Sequence, residues 1–210
     1  MTPLAVLIPV KSAGPKSRLS RALRDDERRR FASLLLGDLL GVLRSAGLLG
    51  ATYVISSDKE ALGLAESMGA NGVSEPRDAG VNAAVARGMS SVRSADAFLV
   101  LPADLPLATP SQIRHLISLG SAGLSVVLTP SASFNGTNAL LFSPSCGLEL
   151  SYDDDSFWNH VKSAGEKGIS CGVSPQRGLM FDVDTPRDLL ALAGSKARGA
   201  SAKFAREVSR

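Results

Sequence analysis

Apolar residues occur in two rhythms along this chain. Residues 4–10 (Leu-Ala-Val-Leu-Ile-Pro-Val) form an unbroken apolar run of strand length, the pattern of a strand buried on both faces. Farther on, Phe31, Leu34, Leu35, Leu39, Val42 and Leu43 recur at helical spacing. They follow Asp25-Asp26-Glu27, an acidic start suited to the positive end of a helix. The alternation continues with a strand over 52–56, then Ser57 and Glu60 as a capping box for a helix carrying Leu62, Leu64, Ala65 and Met68. A helix over 81–92 and a strand over 97–101 come next. Thr109-Pro110-Ser111-Gln112 supplies an N-cap, a proline at the first helical position and a glutamine three residues after the cap, ahead of a helix over 113–119. The pattern then predicts strands at 124–128 and 139–142, a helix at 157–164, and strands at 169–173 and 178–183. A last helix opens at Thr185-Pro186-Arg187-Asp188 and runs to about residue 193.

Strands and helices in alternation predict an α/β fold. The expectation is a single three-layer α/β/α domain over residues 1–194, with a mostly parallel sheet covered on both faces. No composition break or repeat divides it. Residues 195–210, rich in Ala, Ser, Gly and Lys, have little to bury and read as a loose basic tail or a peripheral helix.

Charge refines this picture. The tail holds five basic residues against Glu207, so it contributes +4 to a net charge of +3 and leaves the rest of the chain at −1. The high isoelectric point therefore does not mark a basic domain. A second concentration, eight basic residues and three acids over 11–30, sits beside the first strand, where it could face an anionic ligand. Nucleic acid is the weaker partner for it, because exposed aromatics do not interleave with the basic residues. Cys146 and Cys171 lack a CxxC or metal-like setting and read as reduced, structural thiols of a cytoplasmic protein. The apolar start has no basic region before it, as a signal peptide would, and the greasiest stretch, 34–49, is broken by Asp38 and Arg44, so no membrane span is expected.

In an open α/β sheet ligands collect at the carboxyl ends of the strands, and three polar groups fall there. The loop after the first strand carries Lys11, Lys16 and Arg18, enough cations to wrap a triphosphate. It has neither the P-loop nor the dinucleotide glycine pattern, and taken alone it also reads as a solvated loop. Asp104 ends a buried strand between Pro102 and Pro106, as a stiffly held ligand or as a turn former. Asp182 and Asp184 lie two apart on a predicted strand, so their carboxylates share a face and repel unless a cation lies between them. Hard oxygen ligands of this kind suit magnesium. Together the three groups describe a nucleotidyl-transfer site, in which cations hold the leaving pyrophosphate and Mg2+ neutralises the reacting phosphate. No general base is needed when the attacking group is itself a phosphate, which agrees with a chain whose only histidines are His115 and His160. His115 reads as ordinary helix packing.

Several motifs in register then carry a specific resemblance. They are Ile8-Pro-Val-Lys11 with Lys16-Ser-Arg18-Leu19-Ser20, Val81-Asn82-Ala83-Ala84, Leu101-Pro-Ala-Asp104-Leu-Pro106, Gly136-Thr137-Asn138-Ala139-Leu140, Ser156-Phe157-x-x-His160 and Asp182-Val-Asp184-Thr-Pro186. Over residues 4–193 the chain resembles the 2-phospho-L-lactate guanylyltransferase family of coenzyme F420 biosynthesis. The wider relatives are nucleotidyltransferases of nucleotide-diphospho-sugar transferase, glycosyltransferase-A-like fold. The resemblance implies transfer of GMP from GTP to 2-phospho-L-lactate, or to phosphoenolpyruvate in some relatives, with release of pyrophosphate. It implies Lys11, Lys16 and Arg18 on the triphosphate, with Asp104 beside them in the catalytic group, and Asp104, Asp182 and Asp184 on Mg2+. Thr137, Asp153 and Ser156 would surround the acceptor. Asn82 and Glu75 would lie near the base, where a carboxylate accepting from guanine N1 and N2 favours GTP. A homodimer, also suggested by the apolar excess at 34–49, and hand-off of an unstable product to the next pathway enzyme complete the implied partners.

The chain departs from the family pattern at two places. Asn135 stands where an acidic residue is usual, and Tyr152-Asp153-Asp154-Asp155 where a glycine is usual. Asp153 would repel an anionic acceptor unless the loop turns it outward or a cation intervenes. The three aspartates read as an extra metal site or a solvated acidic loop, and His160 as packing, capping or catalysis. The rival enzyme is a nucleotidyltransferase of the same fold with a sugar-phosphate or molybdopterin acceptor, for which the short loop before Ser156 leaves little room. The rival outside enzymes is a module that binds RNA or an acidic partner through its basic surface, which leaves the three aspartates unexplained.

Overall fold

The computed structural model describes residues 3–11 and 16–209, so residues 12–15 of the cationic loop lie outside the described residues. Among the described residues seven strands form one sheet: β1 (Leu4–Pro9), β2 (Thr52–Ser56), β3 (Asn71–Ser74), β4 (Ala97–Val100), β5 (Val126–Pro130), β6 (Thr137–Phe142) and β7 (Cys171–Val173). Their order is β3-β2-β1-β4-β6-β5-β7. β6 runs antiparallel to both of its neighbours, and every other pairing is parallel.

Alternation along the strands builds the three layers. In β1, Val6 and Ile8 point into one core and Ala5 and Leu7 into the other, and all four are buried. Leu36, Leu39, Leu40 and Leu43 of α1 (Asp25–Ala46), Ala61 and Ala65 of α2 (Lys59–Met68), and Ile113 and Leu116 of α4 (Pro110–Ser121) cover the first face. Ala84 and Val85 of α3 (Val81–Ser91) and Phe157 of α5 (Ser156–Glu166) cover the second. The apolar excess at 34–49 is thus consumed by the chain's own sheet and supplies no argument for a second copy. Among the described residues no helix is long and apolar enough to cross a membrane.

Local signals hold at two of the three helix starts where a cap is expected. Thr109 accepts from Gln112 N and the Gln112 side chain accepts from Thr109 N, closing the capping box expected there. Thr185 and Asp188 do the same for α7 (Pro186–Gly194). The cap of α2 is Asp58 rather than Ser57, its carboxylate accepting from Glu60 N at 2.8 Å. β3 has no counterpart in the sequence pattern, because its Asn71-Gly72-Val73-Ser74 is poor in strand formers and pairs only as an edge. The strand expected at 178–183 is instead a short helix, α6 (Arg177–Met180), followed by extended backbone at Phe181. A brief apolar run does not distinguish a strand from a buried helical turn. Here Leu179 inserts fully buried into the first core, and a side chain at Gly178 would collide with the Leu107 carbonyl.

Of its two readings, the C-terminal tail takes the helical one among the described residues. It forms α8 (Ala200–Val208), which buries Ala202, Phe204 and Ala205 in a third cluster with Phe31, Leu35, Leu189 and Leu192. Phe204 stacks on Phe31 at 5.5 Å between centroids, and the Arg30 guanidinium lies over its ring at 5.3 Å. Asp38 of α1 supplies the missing cap, accepting from Ala200 N and Ser201 N, each at 2.9 Å. Of the tail's charged side chains, Lys203 and Glu207 lie on the exposed face of this amphipathic helix, and Arg206 donates back to Ser195 O and Ala197 O.

Candidate active site

The carboxyl ends of β1 and β4 open into a cavity of about 520 Å³, lined on one side by cations and carboxylates and on the other by hydroxyls. The first wall starts where β1 ends, at Pro9, Val10 and the exposed Lys11. Lys16 sits in left-handed backbone at φ 55° ahead of a single 3-10 turn, Ser17–Leu19. Fully buried Leu19 plugs that turn into the third cluster, which holds the Lys16 and Arg18 backbone against the cavity.

Lys16 Nζ lies 2.5 Å from Asp104 Oδ2 and 2.9 Å from Asp184 Oδ1, while Arg18 reaches Asp184 at 3.5 Å. Burial opposes the Lys16 charge, but Asp104 and Asp184 outweigh it and hold its pKa above the ordinary lysine value. Burial likewise works against the Asp184 carboxylate, and Lys16, Arg18 and Lys11 overcome it, leaving its pKa below the usual range. Asp182 differs. Burial, with repulsion from Asp104 and Asp184, raises its pKa despite the hydrogen bond it accepts from Asn138 Nδ2 at 3.1 Å.

These carboxylates fit a hard cation in part. Among the described residues no three His, Cys, Asp or Glu side chains converge closely enough to cage a metal by themselves. Yet Asp104 Oδ1 is buried without a hydrogen-bond partner, and Asp182 carries the repulsion just described. A divalent cation would relieve both, and magnesium characteristically takes one or two carboxylates and completes its shell with water and substrate phosphate.

The second wall comes from the start of β6 and of α5. Thr137 N donates to Ser156 Oγ at 2.9 Å, and Thr137 Oγ1 lies 3.0 Å from His160 Nδ1. His160 is fully buried and its Nε2 accepts from Ser151 N at 3.0 Å. Burial lowers its pKa to about 4. Asn138 links the walls, donating to Leu179 O as well as to Asp182.

Of the residues predicted from sequence, the structure brings Lys11, Lys16, Arg18, Asp104, Thr137, Ser156, Asp182 and Asp184 to this one cavity. Glu75 lies in a small adjoining recess with Asp78 and Gly80, which shares Pro9, Val10, Lys11 and Val81 with the main cavity. Burial, aided by Asp78 and opposed by Arg87, raises the Glu75 pKa. Asn82 and Asp153 line neither space. Asn82 Oδ1 accepts from Tyr152 N at 2.9 Å and its amide donates to Asp153 at 3.4 Å, clasping the loop before α5 to the start of α3. Asp153, Asp154 and Asp155 are exposed. Sequence reasoning gave no role to Asn138 or Tyr152, although both line the cavity. The available signal was an asparagine opening an otherwise apolar strand; for Tyr152 there was none.

Comparison with known proteins gives a concordant result. The family described as "Guanylyl transferase CofC like" matches residues 4–208. The chain is 35% identical over 192 residues to a phosphoenolpyruvate guanylyltransferase of Rubrobacter xylanophilus, covering 90% of this chain and 93% of that one. It is 32% identical over 185 residues to a 2-phospho-L-lactate guanylyltransferase of Methanothermobacter thermautotrophicus, covering 87% and 81%. Among solved structures, a Desulfovibrio desulfuricans protein classed as a nucleotide-diphospho-sugar transferase superposes with a TM-score of 0.75 at 16% identity, covering 100% and 96% of the two chains. A nucleotidyl transferase of Methanothermobacter thermautotrophicus gives 0.66 at 16% identity, covering 97% and 99%. At such identities the solved structures establish the fold alone.

Proposed function

This chain belongs to the CofC-like guanylyl transferase family, and on that premise we propose that it transfers GMP from GTP to a small phosphorylated three-carbon acid, in the pathway to coenzyme F420. The observation that carries the reading is the facing of two walls across one cavity: Lys16 between Asp104 and Asp184 on one side, the Thr137 and Ser156 hydroxyls on the other. Relatives at 35% identity are named for phosphoenolpyruvate and those at 31–32% for 2-phospho-L-lactate, which supports testing phosphoenolpyruvate first.

In this reading Lys11, Lys16 and Arg18 take the triphosphate. The three N–H donors of Lys16 turn from the two carboxylates to phosphate oxygens. The guanine lies in the main cavity beside the small recess that holds Glu75, with the Glu75 carboxylate accepting from N1–H and the N2 amino group, two donors that adenine does not present together. The acceptor lies against Thr137 and Ser156, at the N-terminus of α5, where the helix dipole favours an anion. Asn82 and Asp153 act indirectly, by holding the Tyr152 loop in place. A phosphate oxygen of the acceptor attacks the α-phosphorus, the bond to the β-phosphate oxygen breaks, and pyrophosphate leaves toward Lys16 and Arg18. The phosphate is already ionised, so no side chain has to take a proton. Asp104 with Asp182 or Asp184 would hold magnesium, which when bound neutralises charge on the reacting phosphate.

Pyrophosphate release by the purified protein with magnesium tests this across four nucleoside triphosphates, with phosphoenolpyruvate, 2-phospho-L-lactate or no acceptor. Release requiring GTP together with one of the two acids is the expected result. Release with a sugar phosphate and neither acid would replace the acceptor assignment.

A further inference from the structure

His160 is buried, lies outside the cavity lining and is unused by the reaction just described, yet both of its ring nitrogens are engaged. The directions of those bonds decide its protonation. Ser151 contributes a backbone N–H, which is only a donor, so Nε2 at 3.0 Å has to be the bare, accepting nitrogen. A neutral ring with Nε2 bare carries its hydrogen on Nδ1, which faces Thr137 Oγ1 at 3.0 Å. Thr137 Oγ1 is therefore the acceptor of that bond. Its own hydrogen has no acceptor among the described residues, and the residue lines the cavity. Ser156 is in the same condition: its Oγ accepts from Thr137 N, which leaves the hydroxyl hydrogen to be donated. A histidine in the other tautomer, or a charged one, would set its own N–H against that of Ser151.

We propose that His160 is a positioning residue of this site: through Nδ1–H it makes the Thr137 hydroxyl a one-way donor into the cavity toward the anionic acceptor, and through Nε2 it ties the Ser151–Tyr152 segment to the same wall. The proposal rests on the reading that the acceptor lies at Thr137 and Ser156. The Tyr152 ring, packed edge-on to the imidazole at 5.0 Å, is fixed by the same bond.

Two variants separate the two bonds. In His160→Asn the amide N–H₂ stands near the place of Nδ1 and keeps a donor for Thr137, but the acceptor for Ser151 is lost. In His160→Gln the longer side chain brings its amide oxygen near the place of Nε2, keeping the Ser151 bond and losing the donor. Steady-state kinetics of both, and of Thr137→Val, would be measured against each substrate. A lost hydrogen bond to a charged ligand is worth roughly tenfold or more in binding, so His160→Gln and Thr137→Val are expected to raise the acceptor KM by about tenfold while leaving the GTP KM within about twofold. His160→Asn is expected to keep the acceptor KM within about threefold of wild type, at lower thermal stability. If Thr137→Val leaves the acceptor KM unchanged, the acceptor placement fails and this inference with it. If Thr137→Val raises it and His160→Gln does not, the role of His160 alone is overturned. The imidazole ¹⁵N shifts of the wild-type protein decide independently of any variant: Nδ1 protonated and Nε2 bare near neutral pH is expected, and the reverse pattern would sink the proposal.

Discussion

Asp104 concentrates the electrostatic tension of the site in one side chain. One of its oxygens meets the Lys16 ammonium, and the other is buried with no partner. Leaving a buried carboxylate oxygen unsatisfied costs about 1–3 kcal/mol, so the geometry suits a ligand-bound state better than an empty one. Replacing Asp104 by Asn keeps the shape and removes the charge. We expect kcat to fall by about a hundredfold or more, because charge neutralisation on a transferring phosphate is among the largest catalytic terms, with the circular dichroism spectrum unchanged. Wild-type turnover in that variant would remove Asp104 from the reaction. At this scale the sequence was most legible where chemistry is local: two carboxylates two residues apart, a strand-end aspartate between prolines, cations after a strand. It was least legible where a residue's role depends on a distant partner. Asn82 looks like any polar residue at a helix start until Tyr152 and Asp153, some seventy positions away, are seen to occupy its amide.

Elements were read from periodicity, and they failed where periodicity is not the deciding force. The run at 178–183 is apolar enough for a strand, but Leu179 finds a place in the core under α4 and β6, and the chain turns helically to deliver it. Asp182 and Asp184 still reach one cavity, because the backbone is extended again by Phe181. Helix α8 is the larger surprise, since four of its nine residues are buried although its composition is that of a linker. Its stability comes from Phe204 and from an N-terminal cap donated by Asp38, which is 162 positions from the nearest amide it binds. Phe204→Ala should therefore cost about 3 kcal/mol in stability and lower the melting temperature by about 6–12 °C. The GTP KM should stay near wild type, because Phe204 does not line the cavity. A drop below about 2 °C in a thermal melt would mean that the tail is not integral to the domain.

The molecule as a whole places its cavity where β4, the last strand of the parallel run β3-β2-β1-β4, meets antiparallel β6. That junction brings the cationic loop after β1 opposite the hydroxyls of β6 and α5, and Asn138 bridges the two halves at Asp182. Global stability should register the buried His160. Its folded pKa of about 4 lies below the ordinary 6.5, so between those values the unfolded chain binds more protons and stability falls as pH falls. The loss amounts to about 3 kcal/mol from pH 7 to pH 4, and levels off within about one pH unit below that. Urea unfolding of the wild type and of His160→Gln across this range checks it, since only the wild type should carry that component of the slope. What the sequence determined by itself was the alternation of strands and helices, the burial of the central strands on both faces, the caps of α4 and α7, and which residue types could hold a triphosphate and a cation. These depend on neighbours a few positions apart, whose interactions any local conformation preserves. Only the tertiary structure decided that residues 200–208 of the tail pack as a helix, that Glu75 lies beside the main cavity rather than in its lining, that Lys16 lies between Asp104 and Asp184, and which hydrogen the Thr137 hydroxyl is free to give. Each of those depends on contacts between segments far apart in the chain, which exist only once the sheet has brought them together.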